Sequence, residues 1–192
     1  MELERLVFFS DAVIAIAITL LVVTLAIPEA TENVGDALLD RWPQMLSYVL
    51  SFLVIGVFWM AHHRIFRYVR SIDQRLIWLN LLFLMCVAFI PFPTGVLGDH
   101  DGSRGAIVFY AAAIGLTGAV LALMWQYLIH AGHLNERADP KIVRYLTRRS
   151  LVTPISFLVS IPLSFVSLRL AEACWFAPFV LIGVINARHG QS

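Results

Sequence analysis

Residues 5–23 read Arg5-Leu6-Val7-Phe8-Phe9-Ser10-Asp11-Ala12-Val13-Ile14-Ala15-Ile16-Ala17-Ile18-Thr19-Leu20-Leu21-Val22-Val23. A single carboxylate near the start is followed by an apolar run to Ile27, about the 20 helical residues that a hydrocarbon core demands. An acidic side chain well inside such a span costs about 2.5 to 3.5 kcal/mol on insertion scales, so Asp11 is expected to face protein or water and to have a partner. Arg5 is the nearest candidate in sequence, with His62 or His63 within reach if a second helix packs alongside. Ser10 and Asp11 also admit a simpler reading, as caps of an interfacial helix start where a carboxylate suits the positive end of the helix dipole.

The rest of the chain has the same character. Of its 192 residues, 59% are hydrophobic and 14% charged, where a soluble domain averages about 25% charged, and the mean hydropathy is +0.79. The first span is expected from about Leu6 to Ile27, ending at Pro28, where a helix loses a donor and the polar stretch Glu29 to Arg41 begins. A second follows from Pro43 to His63 and a third from Leu76 to Leu97, with Pro91 and Pro93 marking a kink near its far end. The fourth covers Gly105 to Ile129. After a polar segment, His130 to Arg149, the last apolar region divides into Leu151 to Leu168 and Leu170 to Ala187, since one straight helix of that length would far exceed the bilayer. The fold class expected is all-α: a polytopic membrane protein with six transmembrane helices in a single domain, residues 1–192. The first run lacks the short apolar core and small-residue cleavage pattern of a signal peptide and reads as a retained helix.

Cationic residues orient the chain, because Lys and Arg near span ends favour the cytoplasmic side. With both termini cytoplasmic, the inner segments hold Arg5, then Arg64, Arg67, Arg70 and Arg75, then Arg137, Lys141, Arg144, Arg148 and Arg149, and finally Arg188, leaving Arg41, Arg104 and Arg169 outside. A cell-membrane location with multiple passes follows. The net charge of +1 and the lack of a dense basic run give no reason to expect a nucleic-acid partner.

Few residues here can carry chemistry. His62 and His63 are neighbours on different helix faces and cannot grip one metal as an i, i+4 pair does, so no metal or cofactor is expected. One of them can pack against the Arg5, Phe9, Ser10 and Asp11 group, tying the first helix to the second; an interfacial histidine among lipid headgroups is the other reading. Asn80 can join as a hydrogen-bonding side chain, worth about 1 kcal/mol to helix association. Cys86 and Cys174 sit in apolar runs as small packing residues. Trp42, Trp59, Trp78, Trp125 and Trp175 lie toward span ends and read as interface anchors, and Glu172 as an ordinary solvated carboxylate. From Ile16, the positions Leu20, Val23 and Ile27 recur at i+4, i+7 and i+11 on one helical face, with Thr19 beside them. Such a stripe can face lipid or neighbouring helices as readily as an axis.

Arg5, Phe9, Ser10 and Asp11 match, position for position, the Arg-x-x-x-Phe-Ser-Asp signature of the transmembrane protein 175 family of potassium channels, which this sequence resembles. The likeness runs on through Ala12 to Leu25 and is echoed by Trp59, His62, His63, Arg64 and Phe66, by Asn80, and by Pro91-Phe92-Pro93-Thr94. The resemblance implies a single six-helix unit of the bacterial kind, assembling as a homotetramer around a central pore lined by the first helix. It places Ile16 at an apolar constriction and Thr19 at a hydroxyl layer, with Leu20 and Val23 as further rings. The transported ion would be potassium, and the other partners would be further copies of the chain and membrane lipid.

A constriction too tight for a full hydration shell penalises an ion by what it must shed, and potassium sheds water more easily than sodium. The carbonyl-cage sequence Thr-Val-Gly-Tyr-Gly is absent, as is an Arg-rich voltage-sensing helix. A secondary transporter of a small ion or solute is the alternative; it would need a midplane site on broken polar helices, and the spans offer mainly Thr19, Thr24, Thr117, Ser156 and Ser160. An enzyme is not expected, since only Asp11, His62 and His63 are available as acid or base, with no nucleophile motif beside them.

Overall fold

The computed structural model describes residues 2–25, 33–181 and 183. Among the described residues the chain runs through α1 (Glu2–Leu20), prolonged by a 3-10 turn over Leu21–Thr24, then α2 (Val34–Asp40), α3 (Trp42–Phe66), α4 (Gln74–Phe89), α5 (Pro91–Asp99), α6 (Arg104–His130), α7 (Pro140–Leu163) and α8 (Leu168–Cys174). Four stretches among the described residues are long and apolar enough to cross a membrane: Glu2–Thr24, Trp42–Phe66, Gln74–Asp99 and Arg104–His130. They coincide with the first four expected spans. Ile27 and the end of the last expected span lie outside the described residues.

The third of these stretches is two helices. Pro91 has no N–H to offer the Val87 carbonyl, which instead accepts from Ile90 N at 3.1 Å, and the chain bends there. Buried hydroxyls steady the bend: Thr94 Oγ1 lies 2.8 Å from both the Ile90 carbonyl and Ser51 Oγ, and Ser51 Oγ lies 3.0 Å from the Tyr110 hydroxyl. With no water in hydrocarbon to replace a lost partner, such side chains satisfy backbone that a proline has disturbed.

The central helix is α6, with 61% of its apolar window buried against 22% for α1. It packs closely on α7 because Gly115 and Gly118 carry no side chain: a Cβ on Gly118 would stand 2.9 Å from Pro154 Cδ and 3.1 Å from its nitrogen, and one on Gly115 would stand 2.8 Å from Leu158. Small residues at a helix crossing let backbones approach, and in lipid that contact supplies much of the association energy.

Helix α7 begins earlier than its hydropathy suggests. Residues 140–149, expected within a polar connector, are helical, started by Asp139 accepting from Ile142 N at 2.7 Å and by Pro140 in the first turn. The segment is amphipathic: Leu146 and Arg149 are buried, while Lys141, Arg144 and Arg148 are exposed. The final apolar region does divide, at residues 164–167, a few residues before the expected break between Leu168 and Leu170. There Arg104 Nε donates to the Ser164 carbonyl at 3.1 Å, and its guanidinium lies over the Phe165 ring.

Two of the five tryptophans are not interface anchors. Trp125 is fully buried and donates to Thr147 Oγ1 at 3.0 Å; Trp175, 3% exposed, donates to Ser160 Oγ at 2.9 Å and stacks on Phe157. Hydroxyls on α7 satisfy both indoles, which lets these large rings enter the core. Trp42 and Trp78 are exposed, and Cys86 and Cys174 are free thiols.

A clasp joins the α3–α4 and α6–α7 loops. Val69 and Leu134 form an isolated antiparallel bridge, with Arg70 N donating to the His133 carbonyl and Asn135 N to the Tyr68 carbonyl, each at 2.8 Å. Asp73 caps α4 by accepting from Leu76 N at 2.8 Å, and it also takes the Tyr127 hydroxyl bond and lies 3.4 Å from His133 Nε2. The Tyr127 bond above all, with the Leu76 N–H, holds the Asp73 carboxyl below the usual carboxylate range. A folded-state pKa below the unfolded one means this contribution is complete above the ordinary carboxylate pKa of about 3.9 and is lost as pH falls through the folded value.

Gly118→Ala is expected to destabilise the fold by about 1–3 kcal/mol through overpacking on Pro154, whereas Gly56→Ala, whose Cβ would meet nothing within 4 Å, is expected to leave the melting temperature in detergent unchanged or raised. Asp73→Ala is expected to speed amide exchange at Leu76 at neutral pH, since no side-chain oxygen then accepts its N–H, whereas Asp73→Asn, which keeps an accepting Oδ1, should change it little.

Candidate permeation helix and its anchoring cluster

Helix α1 has two faces. Ser10, Ile14, Ala17 and Leu21 are buried, a spacing of four, three and four residues that keeps one stripe turned inward. The opposite side is bare: Ile16 is 59% exposed, Leu20 47% and Val23 76%, and Thr19 is exposed as well. Thr19 Oγ1 donates to the Ile16 carbonyl at 2.8 Å, so the hydroxyl hydrogen is engaged within the helix and the oxygen's remaining lone pair is free to face outward.

What fixes the inward stripe is polar. Ser10 Oγ donates to the Leu6 carbonyl at 2.8 Å and accepts from Asn80 Nδ2 of α4 at 2.9 Å. Asn80 Oδ1 lies 2.8 Å from His62 Nε2 of α3; with the amide nitrogen committed to Ser10, Nε2 carries the hydrogen in that bond. All three residues are 0% exposed. The His62 ring stacks on Phe66 and Phe83, with centroids 4.3 and 5.5 Å away. These contacts set the plane of the imidazole and hence the direction of its N–H. One string of hydrogen bonds thus ties α1 to both α4 and α3.

Asp11 is served separately. Its Oδ1 accepts from Trp59 Nε1 at 2.9 Å. Arg5 is not its partner: six residues apart on a helix, the two side chains leave about 120° apart, and Arg5 is exposed with no hydrogen bond or ion pair to a described residue. Phe9 is also exposed, at 50%, outside the cluster. His63 faces away from it, exposed, with its ring 5.9 Å from that of Trp59. The signature residues therefore divide into an inward pair, Ser10 and Asp11, and an outward pair, Arg5 and Phe9.

The sequence reading missed the part played by Trp59, taken for an interface anchor. A usable signal was present: Trp59 and His62, three apart in α3, share a face, and the consecutive polar residues Ser10 and Asp11 offer two acceptors side by side on α1. Among the described residues no group of three or more His, Cys, Asp or Glu side chains is placed to hold a metal.

Comparison with known proteins shows the family to which the chain belongs. The sequence profile of the family described as endosomal/lysosomal potassium channel TMEM175 matches residues 5–91, the segment that carries both faces of α1 and the whole anchoring cluster. A Streptomyces collinus protein named as a potassium channel is 38% identical over 179 residues, covering 90% of this chain and 87% of its own length. A second such protein, from Chamaesiphon minutus, is 37% identical over 183 residues, covering 91% of this chain and 90% of its own. The crystal structure of a lysosomal potassium-selective channel TMEM175 homolog from the same organism superposes with a TM-score of 0.82 at 35% identity, covering 97% of each chain. The chain belongs to the TMEM175 family.

Asn80→Leu is expected to leave the buried His62 Nε2–H without an acceptor, at about 1–3 kcal/mol. Adding His62→Phe should recover part of that loss by removing the orphaned donor, and thermal unfolding of the two single variants and the pair would measure the coupling.

Proposed function

We propose that this chain is a potassium-selective channel of the cell membrane in which α1 from each of four copies surrounds a central pore. The relatives are named as potassium channels and the solved neighbour as a potassium-selective one, and their likeness extends over nearly the whole length of this chain. The observation that carries the pore assignment is the division of α1: a helix anchored by buried hydrogen bonds along one side presents Ile16, Thr19, Leu20 and Val23 bare on the other. Lipid has no need of a Thr hydroxyl, and a helix wholly at the periphery needs no polar string to fix its rotation.

In this reading Ile16 forms the narrowest apolar ring, with Leu20 and Val23 stacked along the axis as further rings. An ion passing such a ring sheds part of its water, and the ring dewets when narrow enough, giving a barrier without any moving gate. Thr19 oxygens, or water held on them, replace part of the lost hydration where potassium has given up most. The single domain, residues 1–192, crosses the membrane six times with both termini in the cytoplasm. Helix α7 supplies the fifth span, and α8 begins the sixth. Asp11 and Trp59 hold the start of α1 so that the four bare faces stay in register.

Reconstituted in planar bilayers, the protein is expected to give single-channel steps with potassium favoured over sodium. Ile16→Asn should raise unitary conductance or lower that preference, because a polar ring stays wet. Smooth currents without steps would indicate a transporter, and currents indifferent to Ile16→Asn would remove this residue from the conduction path.

A further inference from the structure

The clasp between the α3–α4 and α6–α7 loops brings arginines from both loops to one place, and Asn135 is its centre. The Asn135 backbone N–H donates to the Tyr68 carbonyl at 2.8 Å, its Nδ2 donates to the Arg67 carbonyl at 3.1 Å, and its Oδ1 accepts from Arg137 N at 3.1 Å. Arg70 is pinned alongside through its own N–H, 2.8 Å from the His133 carbonyl. In the bridge with Leu134, Val69 turns its side chain inward and is buried, and the alternation of an extended segment sends Arg70 the other way. Arg67, Arg70 and Arg137 are all exposed, and none of their guanidinium groups has a hydrogen bond or ion pair to a described residue. Two of the carboxylates in these loops are engaged as helix caps: Asp73 on α4, where it also holds Tyr127, and Asp139 on α7. That leaves Glu136 beside the three arginines.

We propose that the surface formed by Arg67, Arg70 and Arg137 binds the headgroup phosphate of an anionic phospholipid in the leaflet at this end of the bundle. Depth is the first argument. At 1.5 Å per residue, α3 with its 25 residues is about 37 Å long and α6 with its 27 about 40 Å, against a hydrocarbon core of about 30 Å. Each helix overshoots the core by only a few ångströms at either end, so Arg67, the first residue after α3, and the loop that follows α6 lie within the headgroup layer. Chemistry is the second. A guanidinium presents a rigid fork of N–H donors that fits two oxygens of a phosphate, and each cation held near a membrane surface favours anionic headgroups by about fivefold. Rigidity is the third: the hydrogen bonds of Asn135 and His133 fix the backbone that carries the three arginines, so little of it is left to be ordered when a headgroup arrives. Lys141 and Arg144, exposed on the first turns of α7, extend the same positive field.

Native mass spectrometry of the full chain in detergent, with equal amounts of phosphatidylglycerol and phosphatidylcholine added, reads the preference directly. Phosphatidylglycerol should be retained over phosphatidylcholine by at least about fivefold, and Arg70→Gln should lower that preference by about fivefold. Arg169→Gln, at an exposed position near the opposite end of the bundle, should leave it unchanged. Asn135→Ala keeps every charge and releases both loops, and it should lower the preference by at least about twofold, a loss that net charge alone does not produce. Arg70→Gln removes only an exposed side chain, so the test stands even where Asn135→Ala disturbs folding. Equal retention of the two lipids, or equal effects of Arg70→Gln and Arg169→Gln, would overturn the site. An unchanged preference in folded Asn135→Ala would reduce the arginines to a diffuse field, and displacement of phosphatidylglycerol by millimolar inorganic phosphate would give them to a soluble anion; either result ends the assignment.

Discussion

Inside a bilayer no water stands ready to replace a missing hydrogen-bond partner, and that single constraint organises this chain. Ser10, Asn80 and His62 lie on three different helices, all fully buried, and each is hydrogen-bonded to the next, while His62 Nδ1 has no hydrogen-bond partner among the described residues. Apolar packing alone would let α1 rotate among many equivalent contacts, since lipid tails are as apolar as Leu or Ile. The polar string removes that freedom. It turns one side of α1 inward and thereby decides which residues the other side offers.

The same rule explains features that hydropathy cannot rank. Trp125 and Trp175 enter the core because Thr147 and Ser160 receive their N–H groups. The break between α4 and α5 is tolerated because Ser51, Thr94 and Tyr110 stand beside the disturbed backbone. Polar side chains in this protein are sparse, and the buried ones mostly serve to fix a helix in rotation, in depth or at a bend.

Much of the architecture was legible from sequence. Unbroken apolar runs gave the first four spans, and Pro91 with Pro93 gave the bend in the third, because length and a missing donor act locally. The beginning of α7 was not legible from hydropathy: Lys141, Arg144, Arg148 and Arg149 lower the average of a segment whose inward side is apolar, and only its amphipathic spacing with the Asp139 cap reveals the helix. At the candidate site, Ser10 and Asp11 were recognisable as costly residues in need of partners. Of the residues that tertiary packing brings to them, His62 and Asn80 were candidates in the sequence and Trp59 was passed over, while the nearest charge in sequence, Arg5, lies on another side of the helix. Fully buried tryptophans likewise look the same in sequence as tryptophans at a membrane surface.

The far end of α1 is held too. Its 3-10 turn packs against α5, where Gly95 leaves room for Thr24, whose Cβ would lie 3.6 Å from any Cβ added there. The span is therefore a beam resting on two supports and not a cantilever, and its middle resists sideways deflection far better than a helix clamped at one end. The second support is itself firm, because the bend at Ile90 that carries α5 is buried and held by Thr94, Ser51 and Tyr110.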